Sequence, residues 1–267
     1  MRPKLFGIVI LLAVVASCQP SKEERAKALY EQAVSAFTDH KTGLAKSLLD
    51  SITETYPEEY RVCKEASDMR RTVVTYEKRR TISYLDSVLA ERQKEIEPLM
   101  KEVDIPDKHA ATPVFVHVSQ KRWRTFDRCH LRAFVEQNGT MYMSSNFVGE
   151  KALHHNRVKI ESGESYIVTD TVTDAAFINS FTDGEMVWEV VRYRGDMAMA
   201  MAQFVANDIE NHIYVSYLGE KARYRTLMTE TDKKAIAHIW RLSQLLKESA
   251  MIKSKIRETR LSINKKH

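Results

Sequence analysis

The sequence predicts an α+β protein in which two long helices flank an antiparallel β-rich domain. Apolar residues recur at helical spacing from about residue 58 to 103, and again from 229 nearly to the last residue. Between 113 and 228 the apolar period changes to two, and glycine-containing turns separate the alternating runs. A β-rich domain inserted between two helices explains this pattern.

Residues 22–56 predict a helical hairpin ahead of the first long helix. Its second helix should end at Tyr56, because a residue that precedes proline is pushed out of the α region. The spacing resembles one tetratricopeptide repeat, although Phe37 stands one place later than that repeat puts its aromatic; the matching residues are Leu29, Ala33, Ala45, Leu49 and Pro57. A single repeat cannot bury its own face, so the hairpin should pack on the helix that follows.

The two long helices both carry narrow apolar stripes in a charged background. The first slips after Tyr76 and resumes at near-heptad spacing, with Pro98 as a candidate kink; its later stripe is Ile82, Leu85, Leu89, Ile96, Leu99 and Val103. The final helix should be capped by Thr229, and its stripe is Ile236, Ile239, Leu242, Leu245, Ile252, Ile256 and Ile263. The simplest arrangement pairs the two as an antiparallel stalk; the alternative pairs either one with a second copy of the chain.

The β-rich segment is expected to contain several hairpins. Asn138-Gly139 lies between alternating runs and predicts a two-residue turn that places Val135 opposite Tyr142 and Phe134 opposite Met143. Further strands are predicted at 114–118, 129–136, 147–148, 152–154, 157–161, 166–169 and 186–194, and a last hairpin at 213–218 and 222–227. Residues 197–209 could alternate as a strand, but methionine and alanine favour a helix, with Asp196 as its cap.

The first residues have the three parts of an export signal. Arg2 and Lys4 precede an apolar run from Leu5 to Val15, which is shorter than the ~20 residues that a membrane span requires. Val15-Ala16-Ser17-Cys18 resembles the lipobox of bacterial lipoproteins, and that resemblance implies cleavage before Cys18 and lipid attachment to it. An ordinary signal-peptidase site is the alternative. Lys22-Glu23-Glu24 resembles the export tag of surface lipoproteins in the Bacteroidetes, or is simply a solvated helix start.

Composition argues against nucleic acid as a partner. The formal charge is +5 over 267 residues, and two of the cations, Arg2 and Lys4, belong to the signal. If Cys18 carries lipid, Cys63 and Cys129 remain. An oxidising envelope would permit a disulfide between them, although two small, buried thiols are the favoured interpretation.

The sequence contains no recognisable catalytic or metal-binding motif. His154 and His155 are adjacent, and neighbours in a strand point to opposite faces and do not easily share an ion. Serine-elbow, phosphate-loop and paired-cysteine motifs are absent. We therefore predict no metal, no cofactor and no enzymatic activity.

The most unusual stretch, residues 121–128, places cations beside aromatics. Such a pattern can bind anionic glycans or carboxylates, which makes its arginines and tryptophan candidate ligand-binding residues: Arg122, Trp123, Arg124 and Arg128. The alternative is a hairpin in which Trp123 and Phe126 pack inward while the cations face water.

The whole layout resembles uncharacterised lipoproteins of the Bacteroidetes, a resemblance that implies no particular activity. It divides the chain into a signal peptide, an anchor with a helical hairpin, a long helix, a β-rich domain and a C-terminal helix, at 1–17, 18–57, 58–104, 113–228 and 229–267. We expect a lipid-anchored protein of the cell envelope, at the outer membrane, that acts as a non-catalytic interaction or scaffold protein. Its partners would be the membrane and either an envelope protein or a second copy bound through the long helices. The alternative is a β-rich domain that binds an anionic glycan or small molecule, or acts as an enzyme.

Overall fold

The computed structural model describes residues 20–106 and 113–264, except the side chains of Arg122 and Trp123. The proposed signal, the lipobox and Cys18 therefore lie outside the described residues. The chain divides into two compact units, one ending at Thr81 and one beginning at Ile82, so the boundary falls inside the longest helix.

The first unit is helical and is formed by α1 (Lys22–Thr38), α2 (Thr42–Thr55) and the first half of α3 (Tyr60–Met100). Ser21 and Glu24 form a reciprocal capping box that starts α1. The α1–α2 hairpin packs on α3 as expected, through the buried side chains of Ala26, Ala33, Ala36, Ala45, Leu49, Ile52, Val62, Ala66 and Val73. Phe37 contributes to this packing from its shifted position, with its ring edge-on to Tyr76 at 5.3 Å between centroids.

The second unit contains two antiparallel sheets. The first has six strands in the order β1-β2-β3-β4-β8-β7, with bounds Val103–Asp104, Val114–His117, His130–Glu136, Met141–Gly149, Met186–Arg194 and Ile178–Asp183. The second has four strands in the order β10-β9-β5-β6, with bounds Arg223–Leu227, Ile213–Leu218, Arg157–Ser162 and Ser165–Val168. A short helix, α4 (Arg122–Thr125), precedes β3.

Two further helices, α5 (Gly195–Asn207) and α6 (Glu230–Asn264), complete the core of the second unit. Because strand side chains alternate, only one face of the six-stranded sheet enters this core, and it is apolar at Leu131, Ala133, Val135, Met143 and Val191. The four-stranded sheet adds Val158, Ile160, Ile213, Val215 and Tyr217. The opposite face of the six-stranded sheet does not contribute to this core.

Within the second unit, α3 and α6 pair in antiparallel fashion. Asp86 contacts Arg260 at 3.4 Å, Glu95 contacts Arg241 at 2.5 Å, and the Leu99 carbonyl accepts a hydrogen bond from His238 at 2.9 Å. The α3 residues ascend while the α6 residues descend, which is the antiparallel order. The predicted α+β fold, with its two helices paired around an inserted β region, is therefore confirmed.

Several local expectations were wrong. The Asn138-Gly139 hairpin pairs Phe134 with Tyr142 and Val135 with Met141, one residue away from the predicted register. The cause is a three-residue loop with Gly139 at φ +86°, in place of the two-residue turn.

Other differences arise from side chains that satisfy the backbone. Residues 152–154 form an irregular loop instead of a strand, and residues 178–183 form a strand that the alternation did not indicate. The predicted helix over 197–209 is confirmed as α5, but Arg194 occupies its N-cap, and no side chain caps it. Residues 122–125 are helical, so the hairpin suggested for that stretch was wrong. Among the described helices, none combines the length and apolar character that crossing a membrane requires.

Candidate ligand-binding groove

The outer face of the six-stranded sheet carries a row of polar, cationic and aromatic side chains. Strand alternation brings Arg132 of β3, Ser144 of β4 and Arg192 of β8 to this face, and strand register places them side by side. The core-facing residues between them in sequence are apolar or buried. This face is therefore built differently from the core face.

The row lines two adjoining depressions, with volumes of about 390 and 430 Å³. Arg132, Phe134 and Arg192 line both, so the depressions form one continuous groove across the strands. Each falls within the range typical of small-molecule sites, ~300–1,000 Å³. The groove is a concave feature of the kind that a ligand-binding β domain would require, with polar and charged groups set among apolar surface.

An aromatic wall closes one end of the groove. The rings of Phe126 and Phe181 stack on Trp188 at centroid distances of 5.0 and 5.2 Å. Trp188 is fixed further by its Nε1–H, which donates a hydrogen bond to the Phe126 carbonyl at 2.8 Å. Phe126 and Phe181 each remain about two-fifths exposed, at 39% and 41%. The wall thus offers apolar ring surface to a molecule in the groove.

Positive charge dominates the remaining lining. Arg132 donates a hydrogen bond to the Gln120 carbonyl, and the Arg194 guanidinium lies over the rings of Tyr142 and Phe177 at 5.2 and 4.6 Å. The Arg192 side chain is exposed and has no ion pair or hydrogen bond with the described part of the chain.

The two carboxylates of the lining are already occupied. Glu136 accepts a hydrogen bond from the Tyr142 hydroxyl, and Glu189 is buried beneath the sheet with His155 as its partner. Arg192 is therefore the cation best placed to meet an anion from solution.

His130 adds a buried hydrogen-bond acceptor to the groove lining. Its side chain is only 7% exposed, and its Nδ1–H donates to the Arg128 carbonyl at 3.0 Å. That bond leaves Nε2 with the lone pair, and no described group bonds to it. Burial lowers the pKa of His130 to about 4, so the ring is neutral near pH 7. A bound hydroxyl or amide could donate to this nitrogen.

Beneath the groove lies a buried relay of a serine, a histidine and a glutamate. Ser145 Oγ is 2.8 Å from His155 Nε2, and His155 Nδ1 is 2.7 Å from Glu189 Oε2. Glu189 also accepts the backbone N–H groups of Leu153 and His154, each at 2.7 Å. Burial alone would raise the pKa of Glu189, but its hydrogen bonds to the His155 side chain and to the backbone N–H groups of His155 and His154 lower it to about 2. These same bonds hold residues 153–155 in a loop.

The relay has the order of a serine-hydrolase triad but lacks access to substrate. Ser145 is 0% exposed and shares its hydroxyl with Tyr193 at 3.2 Å. A nucleophile must be reachable and have oxyanion donors beside it, whereas Ser145 faces the core from the middle of β4. The arrangement is suited to satisfying buried polar groups between the sheet and the 153–155 loop.

The residues proposed from sequence lie in different settings. The side chains of Arg122 and Trp123 are outside the described part of the chain. Arg124 is exposed. Arg128 forms a salt bridge with Asp232, which is only 1% exposed. The observed role of Arg128 is therefore to neutralise a buried carboxylate.

Two residues of the unusual 121–128 stretch, Thr125 and Phe126, do reach the groove, but the other groove residues were missed. Trp188 and Arg192 come from strand β8, whose alternation was recognised, and Arg132 comes from β3. Alternation showed that these residues share faces of their strands. It could not show which strands are neighbours, and so could not bring the residues together.

Both cysteines considered for a disulfide, Cys63 and Cys129, are free thiols. Cys63 Sγ is 3.2 Å from the Tyr56 carbonyl, and Cys129 Sγ is 3.3 Å from the Val148 carbonyl. Burial raises the pKa of Cys129, which keeps it protonated and unreactive.

Comparison with known proteins adds no assignment. No family model, curated protein or solved structure matches the chain. Interpretation of the groove therefore rests on its own geometry.

Proposed function

We propose that this protein is a lipid-anchored, non-catalytic envelope protein that binds an anionic glycan in the groove on its six-stranded sheet. The supporting observation is the combination of the Phe126–Phe181–Trp188 wall with Arg192, a cation that no described carboxylate neutralises. Aromatic faces pack against the apolar faces of sugar rings, and a guanidinium binds carboxylate or phosphate through two parallel bonds.

The other lining groups fit a hydroxyl-rich ligand. Asn146 and Ser144 lie in the groove and can exchange hydrogen bonds with hydroxyls, while His130 Nε2 can accept one. A purely apolar ligand would leave Arg192 and His130 unpaired, which is unfavourable once water is excluded. This lining therefore supports an anionic carbohydrate over a lipid chain.

A scaffold role through the long helices remains the second candidate. Part of the apolar stripe on α6 is already buried, at Leu242, Leu245 and Ile256. The apolar stripe of α6 that would bind a partner is thus partly buried by contacts within the chain itself. The groove is therefore the better-supported binding surface. The lipid anchor on Cys18 and the outer-membrane location are part of the proposal on the strength of the lipobox alone.

The test is binding of acidic sugars to the mature chain without its signal. A panel of uronic, sialic and phosphorylated oligosaccharides would be screened by calorimetry, and each acid that binds would be paired with its carboxyl-reduced or dephosphorylated form. We expect the acid to bind and its neutral form to bind at least about tenfold more weakly, with affinity falling as salt rises.

Two variants separate groove binding from binding elsewhere. Arg192→Gln should weaken binding about tenfold or more, while Arg124→Gln, which removes an exposed cation outside the groove, should leave it unchanged. Equal affinity for acid and neutral forms, no binding by any acid of the panel, or equal effects of the two variants would each overturn the proposal.

A further inference from the structure

A second cluster of chemically active side chains lies apart from the groove residues. Glu102 follows the end of α3, His117 ends β2, and His238 lies on α6, all within the second unit. One ligand atom from each lies within 4.8 Å of the other two. The imidazole rings meet edge to face, with centroids 4.9 Å apart.

The spacing is close to that of a metal centre. Zinc bonds to nitrogen and oxygen of ~2.0–2.1 Å place tetrahedral ligands about 3.3 Å from one another. Glu102 Oε2 and His117 Nε2 are already 3.4 Å apart. The Glu102 carboxylate is 62% exposed, so it can adjust without disturbing the core.

The hydrogen bonds around His238 favour metal binding. Its Nε2 must carry the proton, because its partner at 2.9 Å is the Leu99 carbonyl, which can only accept. The lone pair is therefore on Nδ1. A histidine ligand commonly donates its second ring N–H to a backbone carbonyl, which fixes the tautomer and orients the ring.

His117 must change its tautomer to bind through Nε2. Its Nδ1 now accepts the backbone N–H of Ser119 at 3.2 Å and is 2.8 Å from Ser119 Oγ. With the proton moved to Nδ1, Ser119 Oγ becomes the acceptor and Nε2 is left with its lone pair. The backbone bond from Ser119 is lost in this exchange, so binding should be moderate.

We propose that Glu102, His117 and His238 form a binding site for a divalent transition metal, with zinc as the best match. Two imidazoles and one carboxylate are a donor set that zinc uses, and three protein ligands leave a fourth position for water. The ion would join the end of α3, the end of β2 and the third turn of α6. Sequence motifs could not reveal it, because the three ligands are far apart along the chain.

The test uses the mature, tag-free protein, with zinc, cobalt and magnesium chlorides as probes. We expect one zinc ion per chain in calorimetry, a rise in Tm with zinc but not with magnesium, and a cobalt absorption spectrum typical of tetrahedral coordination. Glu102→Gln changes an exposed side chain and should fold normally, yet weaken zinc binding by tenfold or more, since even partners behind the ligands are worth ~10–100-fold.

His238→Gln should have a similar effect, whereas His212→Gln removes an exposed histidine outside the cluster and should bind zinc like the wild type. Circular dichroism of each variant establishes that it is folded. Absence of zinc binding by the wild type at 100 µM metal, roughly the weak limit expected of a moderate site, would overturn the proposal. Unchanged binding by Glu102→Gln and His238→Gln would do so too.

Discussion

Nη2 of Arg128 lies 2.9 Å from Oδ1 of Asp232, and a second guanidinium nitrogen contacts the other carboxylate oxygen. Asp232 is 1% exposed and also accepts a bond from Gln120, which itself is fully buried. The pair therefore joins the segment before β3 to the first turn of α6. Although burial alone would raise it, the pKa of Asp232 is lowered by its bonds to Arg128 and Gln120.

Replacing Arg128 should destabilise the second unit. Arg128→Gln leaves a buried carboxylate without its cation, and breaking such a pair typically costs about 3 kcal/mol. The matched control is Arg124→Gln, an exposed arginine in the same stretch, which should change the free energy of unfolding by less than about 0.5 kcal/mol. Urea denaturation of both variants measures the difference, and similar stabilities would contradict a structural role for Arg128.

The Arg128–Asp232 pair also separates what local sequence patterns predict from what they do not. The cap at Thr229, the helix α5, the last hairpin and the pairing of α3 with α6 follow from local periodicity and turn chemistry, and all are confirmed. Arg128 was selected as a candidate ligand-binding cation beside aromatics, whereas its observed role is to pair with the buried carboxylate of Asp232. Its partner is 104 positions away, and no local pattern indicates it.

The same limit applies to the groove and to the loop at 152–155. Glu189 lies in an alternating strand, and only the fold brings it to the amides of Leu153 and His154. The prediction of a strand at 152–154 used only the alternation of these residues. It took no account of the Glu189 carboxylate, which binds backbone N–H groups of this segment in the folded protein. Long-range polar contacts of this kind decide the irregular loop, and the pairing of distant strands decides which residues line the groove.

The buried relay should be inert as a nucleophile and important for stability. Because Ser145 is 0% exposed, an active-site fluorophosphonate should not label the folded protein, as measured by intact mass. Glu189→Gln replaces an acceptor of three backbone N–H groups and should cost about 3 kcal/mol of unfolding free energy.

The control for this relay is a pair of serine variants. Ser145→Ala should cost about 1–2 kcal/mol, because it leaves buried partners unsatisfied, whereas Ser165→Ala on the exposed strand β6 should be nearly neutral. Labelling of the wild type that Ser145→Ala abolishes would show instead that the relay is a catalytic centre.

Stability should fall as pH drops from 6.5 towards 4, through His130. Its folded pKa is lowered to about 4 by burial, so the unfolded chain takes up a proton that the folded state resists. The stability that comes from keeping His130 neutral is fully present above pH 6.5 and is lost progressively below it. At ~1.4 kcal/mol per pKa unit, the loss approaches about 3 kcal/mol.

The measurement is the unfolding free energy at pH 7 and at about pH 5, which is above the ordinary pKa of 4.5 at which Glu189 of the unfolded chain takes up a proton. His130→Gln keeps a donor for the Arg128 carbonyl and should remove most of this pH dependence, while His212→Gln, on the surface, should retain it. Equal pH dependence in the wild type and His130→Gln would contradict the assignment.

Gly139 should be difficult to replace, because a side chain there would collide with the backbone of α6. It has φ +86°, and a Cβ there would lie 2.4 Å from the Lys247 nitrogen and 2.7 Å from the Ser243 carbonyl oxygen on α6. Ser243 Oγ also donates to the Gly139 carbonyl at 2.8 Å, which fixes the loop against the helix. Since both obstacles are backbone atoms, Gly139→Ala must move the hairpin or the helix.

The matched control is Gly163→Ala, because Gly163 also has positive φ, at +57°, yet has open space around its Cβ direction. Gly163→Ala should cost only the conformational strain, about 1 kcal/mol, and Gly139→Ala at least about 2 kcal/mol more. Thermal unfolding of both variants measures the difference. Equal losses would mean that the hairpin can leave α6 freely, and that their close approach contributes little to the stability of the second unit.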